Sequence, residues 1–228
     1  MSSLYLLLNV VTLSFPLLKS FDSRIAYAKK WKALAPGLLI TATFFIIWDV
    51  IFTAYGVWGF NPQYLLGIHF FGLPLEEWLF FLVIPFACVF IYECVGYFIP
   101  DIQTPPFLPY LSRIIALLLI ALSLLHADRM YTYWNFMFGG IFLGYISIRK
   151  PMWLGRFWVA YLLHLIPFFI VNGILTGSWI EEQVVWYNNE ENLNIRLFTI
   201  PIEDSVYSLL LLLMNVAQFE WFKSRMTT

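Results

Sequence analysis

Residues 74–81 read Pro74-Leu75-Glu76-Glu77-Trp78-Leu79-Phe80-Phe81, and residues 201–207 read Pro201-Ile202-Glu203-Asp204-Ser205-Val206-Tyr207. Each stretch sets two adjacent carboxylates behind a proline, at the mouth of a long apolar run. The two lie 127 residues apart, and at that offset Asn61 meets Asn188, Leu66 meets Leu193, Ile68 meets Ile195 and Phe71 meets Phe198. Further on, Leu82 meets Leu209 and Glu93 meets Glu220. With Pro74/Pro201 and Glu76/Glu203 these are eight of the identities in an ungapped window of 33 residues, which indicates a duplicated unit. Proline suits the start of a helix, where a missing N–H costs nothing. Carboxylates in a lipid-embedded segment are expensive and mark function by default. The pattern points to a duplicated membrane protein doing acid–base chemistry on something apolar.

Composition supports the membrane. Hydrophobic residues make up 61% of the chain, charged residues 12%, and the mean hydropathy is +0.77. A soluble domain is about half apolar and a quarter charged. The 13 Lys and Arg nearly balance the 14 Asp and Glu, which gives no ground for a nucleic-acid partner. Seven apolar segments, near 3–18, 34–55, 74–98, 108–126, 131–148, 157–176 and 198–220, approach the roughly 20 residues needed to cross a bilayer. The expected fold is therefore an all-α membrane protein with seven transmembrane helices. Pro16 and Lys19 cut the first segment short, but it has too few leading positive charges, and no cleavage site, for a signal peptide. Pro85 and Pro167 fall inside segments and should kink them. Cys88 and Cys94 lie six apart on different helical faces, so neither a disulfide nor a metal site is expected.

Eleven of the 13 basic residues fall on one side: Lys19, Arg24, Lys29, Lys30, Lys32, Arg113, Arg149, Lys150, Arg156, Lys223 and Arg225. Arg129 and Arg196 fall on the other. The positive-inside rule then puts the N-terminus outside and the C-terminus in the cytoplasm, with a bacterial inner membrane as the expected setting. Residues 1–98 hold spans 1–3 as a first repeat, 99–130 hold span 4 as a linker helix, and 131–228 hold spans 5–7 as the second repeat. Four spans separate equivalent helices, so the two three-helix repeats run parallel. A four-residue loop gap also aligns Asp49 on span 2 with Asn172 on span 6.

These motifs resemble those of the membrane-integral lycopene cyclases, the heterodimeric or fused type of bacteria, archaea and fungi. Members carry a Pro-x-Glu-Glu/Asp motif in each of two homologous three-helix halves, as in Pro74–Glu77 and Pro201–Asp204. The run Leu211-Leu212-Leu213-Met214-Asn215-Val216-Ala217 followed by Glu220 is similar too, and Asn188-Asn189 departs from the Asn61-Pro62 pattern at a loop turn. The resemblance implies a lycopene β-cyclase of carotenoid biosynthesis, an isomerase or intramolecular lyase. It would convert the ψ end groups of lycopene to β-ionone rings, giving γ-carotene and then β-carotene. Lycopene, other apolar carotenoids and membrane lipid are the implied partners, with homo-oligomers or complexes with other carotenoid enzymes open.

That chemistry needs carboxylic acids. A proton must reach C2 of the terminal double bond, the C5=C6 bond must attack the C1 cation, and the C6 proton must leave. No redox change occurs, and no Gly-x-Gly-x-x-Gly fingerprint is present, so no cofactor is expected. A carboxyl group taken out of water favours its neutral form, as does a second carboxylate beside it. A helix N-terminus opposes this by about 0.3–2 kcal/mol. The catalytic candidates are Glu76, Glu77, Glu203 and Asp204, with Glu76 and Glu203 leading and the set sharing protons as coupled groups. Capping of the helix starts is the bland alternative. Asp49 and Asn172 are candidates to orient the acid or accept its proton, and His69 and Arg196 to pair with the carboxylates. Glu93 and Glu220 lie 17 residues beyond the motif acids, about 25 Å of helix, and should pair with basic loop residues.

Other classes fit less well. A proton-coupled transporter would also use repeated membrane carboxylates, but with broken helices at mid-membrane. A seven-helix retinal protein needs a lysine in the last span, and 198–220 has none. A prenyl transferase needs an aspartate-rich diphosphate motif, and Asp22, Asp49, Asp101 and Asp128 stand apart.

Overall fold

A computed structural model describes residues 3–226. Among them the chain forms seven α-helices: α1 (Leu4–Lys19), α2 (Trp31–Ala54), α3 (Leu75–Phe98), α4 (Leu108–Leu125), α5 (Met130–Arg149), α6 (Leu154–Leu175) and α7 (Ile202–Met226). Five of these (α2, α3, α4, α6 and α7) are long and apolar enough to cross a membrane. Helix α1 has 16 residues, about 24 Å at the α-helical rise. Helix α5 opens on the polar run Tyr131-Thr132-Tyr133, with Asn135 one turn on. Pro85 and Pro167 lie inside α3 and α6, and both cysteines are free.

Short strands make three two-stranded ladders that the apolar pattern did not announce. β2 (His69–Phe70) pairs with β3 (Leu73–Pro74), and β5 (Arg196–Leu197) pairs with β6 (Ile200–Pro201). Each hairpin feeds straight into a motif helix. Leu75 N–H donates to Ile68 O (2.8 Å), and Ile202 N–H to Ile195 O (2.9 Å). The last helix therefore starts at Ile202 rather than at the apolar residue 198, because the hairpin uses the preceding residues.

β1 (Trp58–Phe60) pairs antiparallel with β4 (Val185–Tyr187), and Gly59 stands opposite Trp186. Those two positions differ by 127, so exchanging the halves maps the ladder onto itself. Glycine lets the strands come this close: a Cβ on Gly59 would sit 2.3 Å from the Trp186 ring, which a larger residue would have to displace.

Helices α1 and α6 pack on α3, while α2 and α5 pack on α7. Lipid tails are as apolar as leucine, so close approach and polar contacts, not exclusion from water, hold such helices together. At Gly140 on α5 a Cβ would lie 2.8 Å from Ala116 O on α4, which is how those two helices come so near. At one end of the bundle, buried Glu93 pairs with Lys30, with Arg156 Nη2 (2.5 Å) and with Lys223 Nζ (3.6 Å). Glu220 accepts from Tyr92 Oη (2.7 Å) and faces Lys223 at 3.6 Å. The repeated distal glutamates thus meet basic residues, as their spacing implied.

Candidate active site

Both motif helices begin directly after a hairpin, with Pro74 as the residue before α3 and Pro201 before α7. Two carboxylates therefore enter the first helical turn facing different ways. The first of each pair turns back to the loop. Glu76 Oε1 accepts from Leu66 N–H (2.7 Å), and Glu203 Oε1 accepts from Leu193 N–H (2.7 Å) and from Thr132 Oγ1 (2.7 Å). Their own backbone carbonyls accept from Asn9 Nδ2 (3.1 Å) and Asn135 Nδ2 (2.6 Å). Both side chains have a relative exposure of 0%, and each Oε2 lacks a hydrogen-bond partner among the described residues.

The second carboxylate of each pair turns inward. Glu77 and Asp204 line one cavity of about 480 Å³, together with Asp49, whereas Glu76 and Glu203 lie outside its walls. Pockets of about 300–1,000 Å³ suit small organic ligands or the ends of long ones. Most of the rest of the wall is apolar, with Phe80, Ile84, Phe90, Phe168 and Leu211, and Thr12, His164, Asn172 and Ser208 add polar groups to it.

Each inward carboxylate has its own donors. Tyr5 Oη donates to Glu77 Oε2, and Trp58 Nε1 donates to Asp49 Oδ1. Asp49 and Glu77 share the wall of this cavity. Asp204 instead accepts three bonds: Tyr131 Oη (2.6 Å), Asn172 Nδ2 (2.6 Å) and Tyr187 Oη (3.0 Å). The phenols of Tyr187 and Tyr207 lie within electrostatic range of all three acids.

Asp49 and Asn172, aligned by sequence, thus come to rest beside Glu77 and Asp204. The pairing considered for His69 and Arg196 is corrected. His69 lies exposed in a surface hairpin, and Arg196 donates to Thr199 O (2.6 Å) and Asn189 Oδ1 (2.7 Å). Both stand at the helix mouths, opposite Pro74 and Pro201, yet neither forms an ion pair with a motif acid among the described residues: His69 is exposed and Arg196 is bonded to its own loop. Sequence reasoning passed over Tyr5, Tyr131, Tyr187 and Trp58. A signal for two of them exists: Tyr5-x-x-x-Asn9 recurs as Tyr131-x-x-x-Asn135 at an offset of 126. One-turn spacing puts each tyrosine and asparagine on the same helix face, where they meet adjacent motif residues.

The lycopene cyclase family model matches residues 2–95 and 128–222. The chain belongs to the lycopene cyclase family. No curated protein and no solved structure matches it. In this lycopene cyclase family member one cavity brings together three carboxyl side chains, one of them with three donors, and several aromatic rings. The matched segments end and begin on either side of the Pro100–Pro109 region and all of α4.

Proposed function

We propose that this chain is a membrane-embedded lycopene β-cyclase that closes ψ end groups into β rings by a redox-neutral proton relay. The observation that carries this reading is the meeting of Asp49, Glu77 and Asp204 in one apolar cavity. The Asp49–Glu77 pair, which shares the cavity wall, is assigned as donor to C2. The C5=C6 double bond then attacks the C1 cation, which joins C6 to C1 and leaves the charge on C5. Asp204, held by three donors, is assigned as the base that takes the C6 proton. One proton enters, one leaves and no electrons are exchanged, which makes the reaction an isomerisation. The rings of Trp58 and Tyr207 at the cavity wall would offer cation–π stabilisation to the transient charge. Glu76 and Glu203 are assigned as positioning residues, since each ties its hairpin to its helix.

The same proposal covers the architecture. All seven helices cross the membrane, with 1–98 and 131–228 as parallel three-helix repeats and the α4 region, 99–130, as linker. Matched bonds support it: Glu76–Leu66 with Glu203–Leu193, and Asn9–Glu76 with Asn135–Glu203. The N-terminus lies outside and the C-terminus in the cytoplasm of a bacterial inner membrane. The cluster of Lys30, Arg156 and Lys223 at the far end supports that orientation. Lycopene, other apolar carotenoids and lipid are its partners.

Expression in a lycopene-accumulating host, followed by pigment analysis, tests the reading: γ-carotene and then β-carotene should appear. Unchanged lycopene alongside folded membrane protein would overturn it. The purified protein should convert lycopene in detergent without added flavin or nicotinamide. A stoichiometric flavin whose removal abolishes turnover would contradict the redox-neutral scheme.

A further inference from the structure

The two halves present two equivalent clefts, and only one of them is open. Tyr5 and Tyr131, and likewise Asn9 and Asn135, make matching bonds and align α1 with α5 at an offset of 126. Asp49 and Asn172, each beside the inward acid of a motif, align α2 with α6 at 123. The motifs align α3 with α7 at 127. The cleft between α1 and α6 over α3 therefore corresponds to the cleft between α5 and α2 over α7.

The first cleft is the cavity. Thr12 on α1, with Pro167 and Val171 on α6, lines it. It reaches the molecular surface at Val11 and Phe15, lining residues with 61% and 63% relative exposure on the face of α1. In the second cleft the corresponding positions are Phe138, Phe44 and Trp48. Their rings close on one another: Phe44–Phe138 at 5.5 Å, Trp48–Phe138 at 5.3 Å and Phe44–Trp48 at 5.9 Å. Trp48 also packs 5.3 Å from Tyr207, which forms the cavity wall on its other side. Deeper in, His164 and Ile91 line the open cleft, while their counterparts Thr41 and Gln218 are joined by a 2.8 Å hydrogen bond. Small residues leave one cleft empty, and three aromatics with one bridging bond fill the other.

We infer that an acyclic terpenoid end group reaches the acids sideways from the bilayer, through a single portal between α1 and α6, and that Phe44, Trp48 and Phe138 seal the equivalent route. This inference rests on the cyclase reading and adds the path of the substrate to it. A rigid polyene fits only its end into a cavity of about 480 Å³, with the remainder lying among lipid tails. With one portal, a symmetric substrate presents one end per visit. The second ring requires withdrawal and reversal, so the singly cyclised product leaves the site before the doubly cyclised one forms.

The test copies the plug into the open cleft. Thr12→Phe with Val171→Trp should lower lycopene conversion by roughly a factor of ten or more, equivalent to about 1.4 kcal/mol on the access step. Bound pigment distinguishes blocked access from damaged chemistry. Glu77→Gln, purified from a lycopene-accumulating host, should retain lycopene, and Glu77→Gln with the plug should not. Phe138→Thr should leave conversion within about twofold of the parent, well under the tenfold step. Should the double plug not accumulate in membranes, Val171→Phe alone carries the same test. Parent-like conversion or retained lycopene in a folded plug variant would overturn the portal, as would loss of both on Phe138→Thr alone. A single-turnover experiment that yields the doubly cyclised product without free monocyclic pigment would do the same. Failure of the unsubstituted protein to convert lycopene would fault the cyclase reading instead.

Discussion

Consecutive residues on a helix point about 100° apart, and that turn sends Glu76 and Glu77 to different surroundings. Glu76 is spent on the Leu66 amide and stays off the cavity, while Glu77 shares the cavity with Asp49. Glu203 and Asp204 divide in the same way. Substituting Glu77→Gln or Asp204→Asn keeps shape and removes the transferable proton or the basic oxygen. Loss of such a group costs about 10²–10⁴ in rate, so each variant should fall by at least about a hundredfold when purified protein is assayed with lycopene. Glu76→Gln and Glu203→Gln retain an acceptor for the loop amide and should lose less than about tenfold, well short of that range. Glu76→Ala leaves the half-buried Leu66 N–H without its partner, a cost at the lower end of about 1–3 kcal/mol, read as a lower unfolding temperature. The reverse ranking, with the Gln variants at 76 and 203 dead and those at 77 and 204 active, would return the proton transfer to the outer pair.

At the scale of elements, the sequence was most legible where periodicity is long and apolar. All seven apolar segments became helices, and the boundaries of α3 and α4 fall within a residue of the expected ones. The motif repeat was legible because identities at one offset need no structural knowledge. The hairpins were not, because two-residue strands leave no alternation to count. Their absence from the reading is why His69 and Arg196 were set beside acids that they do not touch. The directions taken by Glu76 and Glu77 were also hidden, since a helix start from sequence alone is uncertain by more than the one residue that decides which face turns in. The β1–β4 ladder was equally silent, although Gly59 pins it. Gly59→Val would drive a side chain into the Trp186 ring. It should lower the unfolding temperature in detergent by several degrees, in line with a loss of about 1 kcal/mol or more. Adding Trp186→Ala should restore much of that loss. An unchanged melting point for Gly59→Val would mean that the ladder does not fasten the halves.

At the scale of the molecule, the site belongs to neither half. Tyr5, Asp49, Trp58 and Glu77 come from the first repeat, and Tyr131, Asn172, Tyr187 and Asp204 come from the second. If the proton donor sits in one half and the base in the other, no half can complete a turnover. Residues 1–98 expressed alone, or 131–228 alone, should therefore leave lycopene unchanged, and co-expression of two pieces should recover activity. The cut belongs in 99–107, between α3 and α4, or in 126–129, between α4 and α5, where no helix is broken. Reassembly has specific drivers: α2 packs on α7, α3 packs on α6, and the Gln218–Thr41 bond and the Glu93–Arg156 pair cross between the halves. Interhelical hydrogen bonds in membranes contribute about 0.6–2 kcal/mol each, so several together can hold two fragments in register. Pigment analysis of the co-expressing strain measures the outcome. Full conversion by residues 1–98 alone would make the second half a scaffold, and Asp204 could not then be the base.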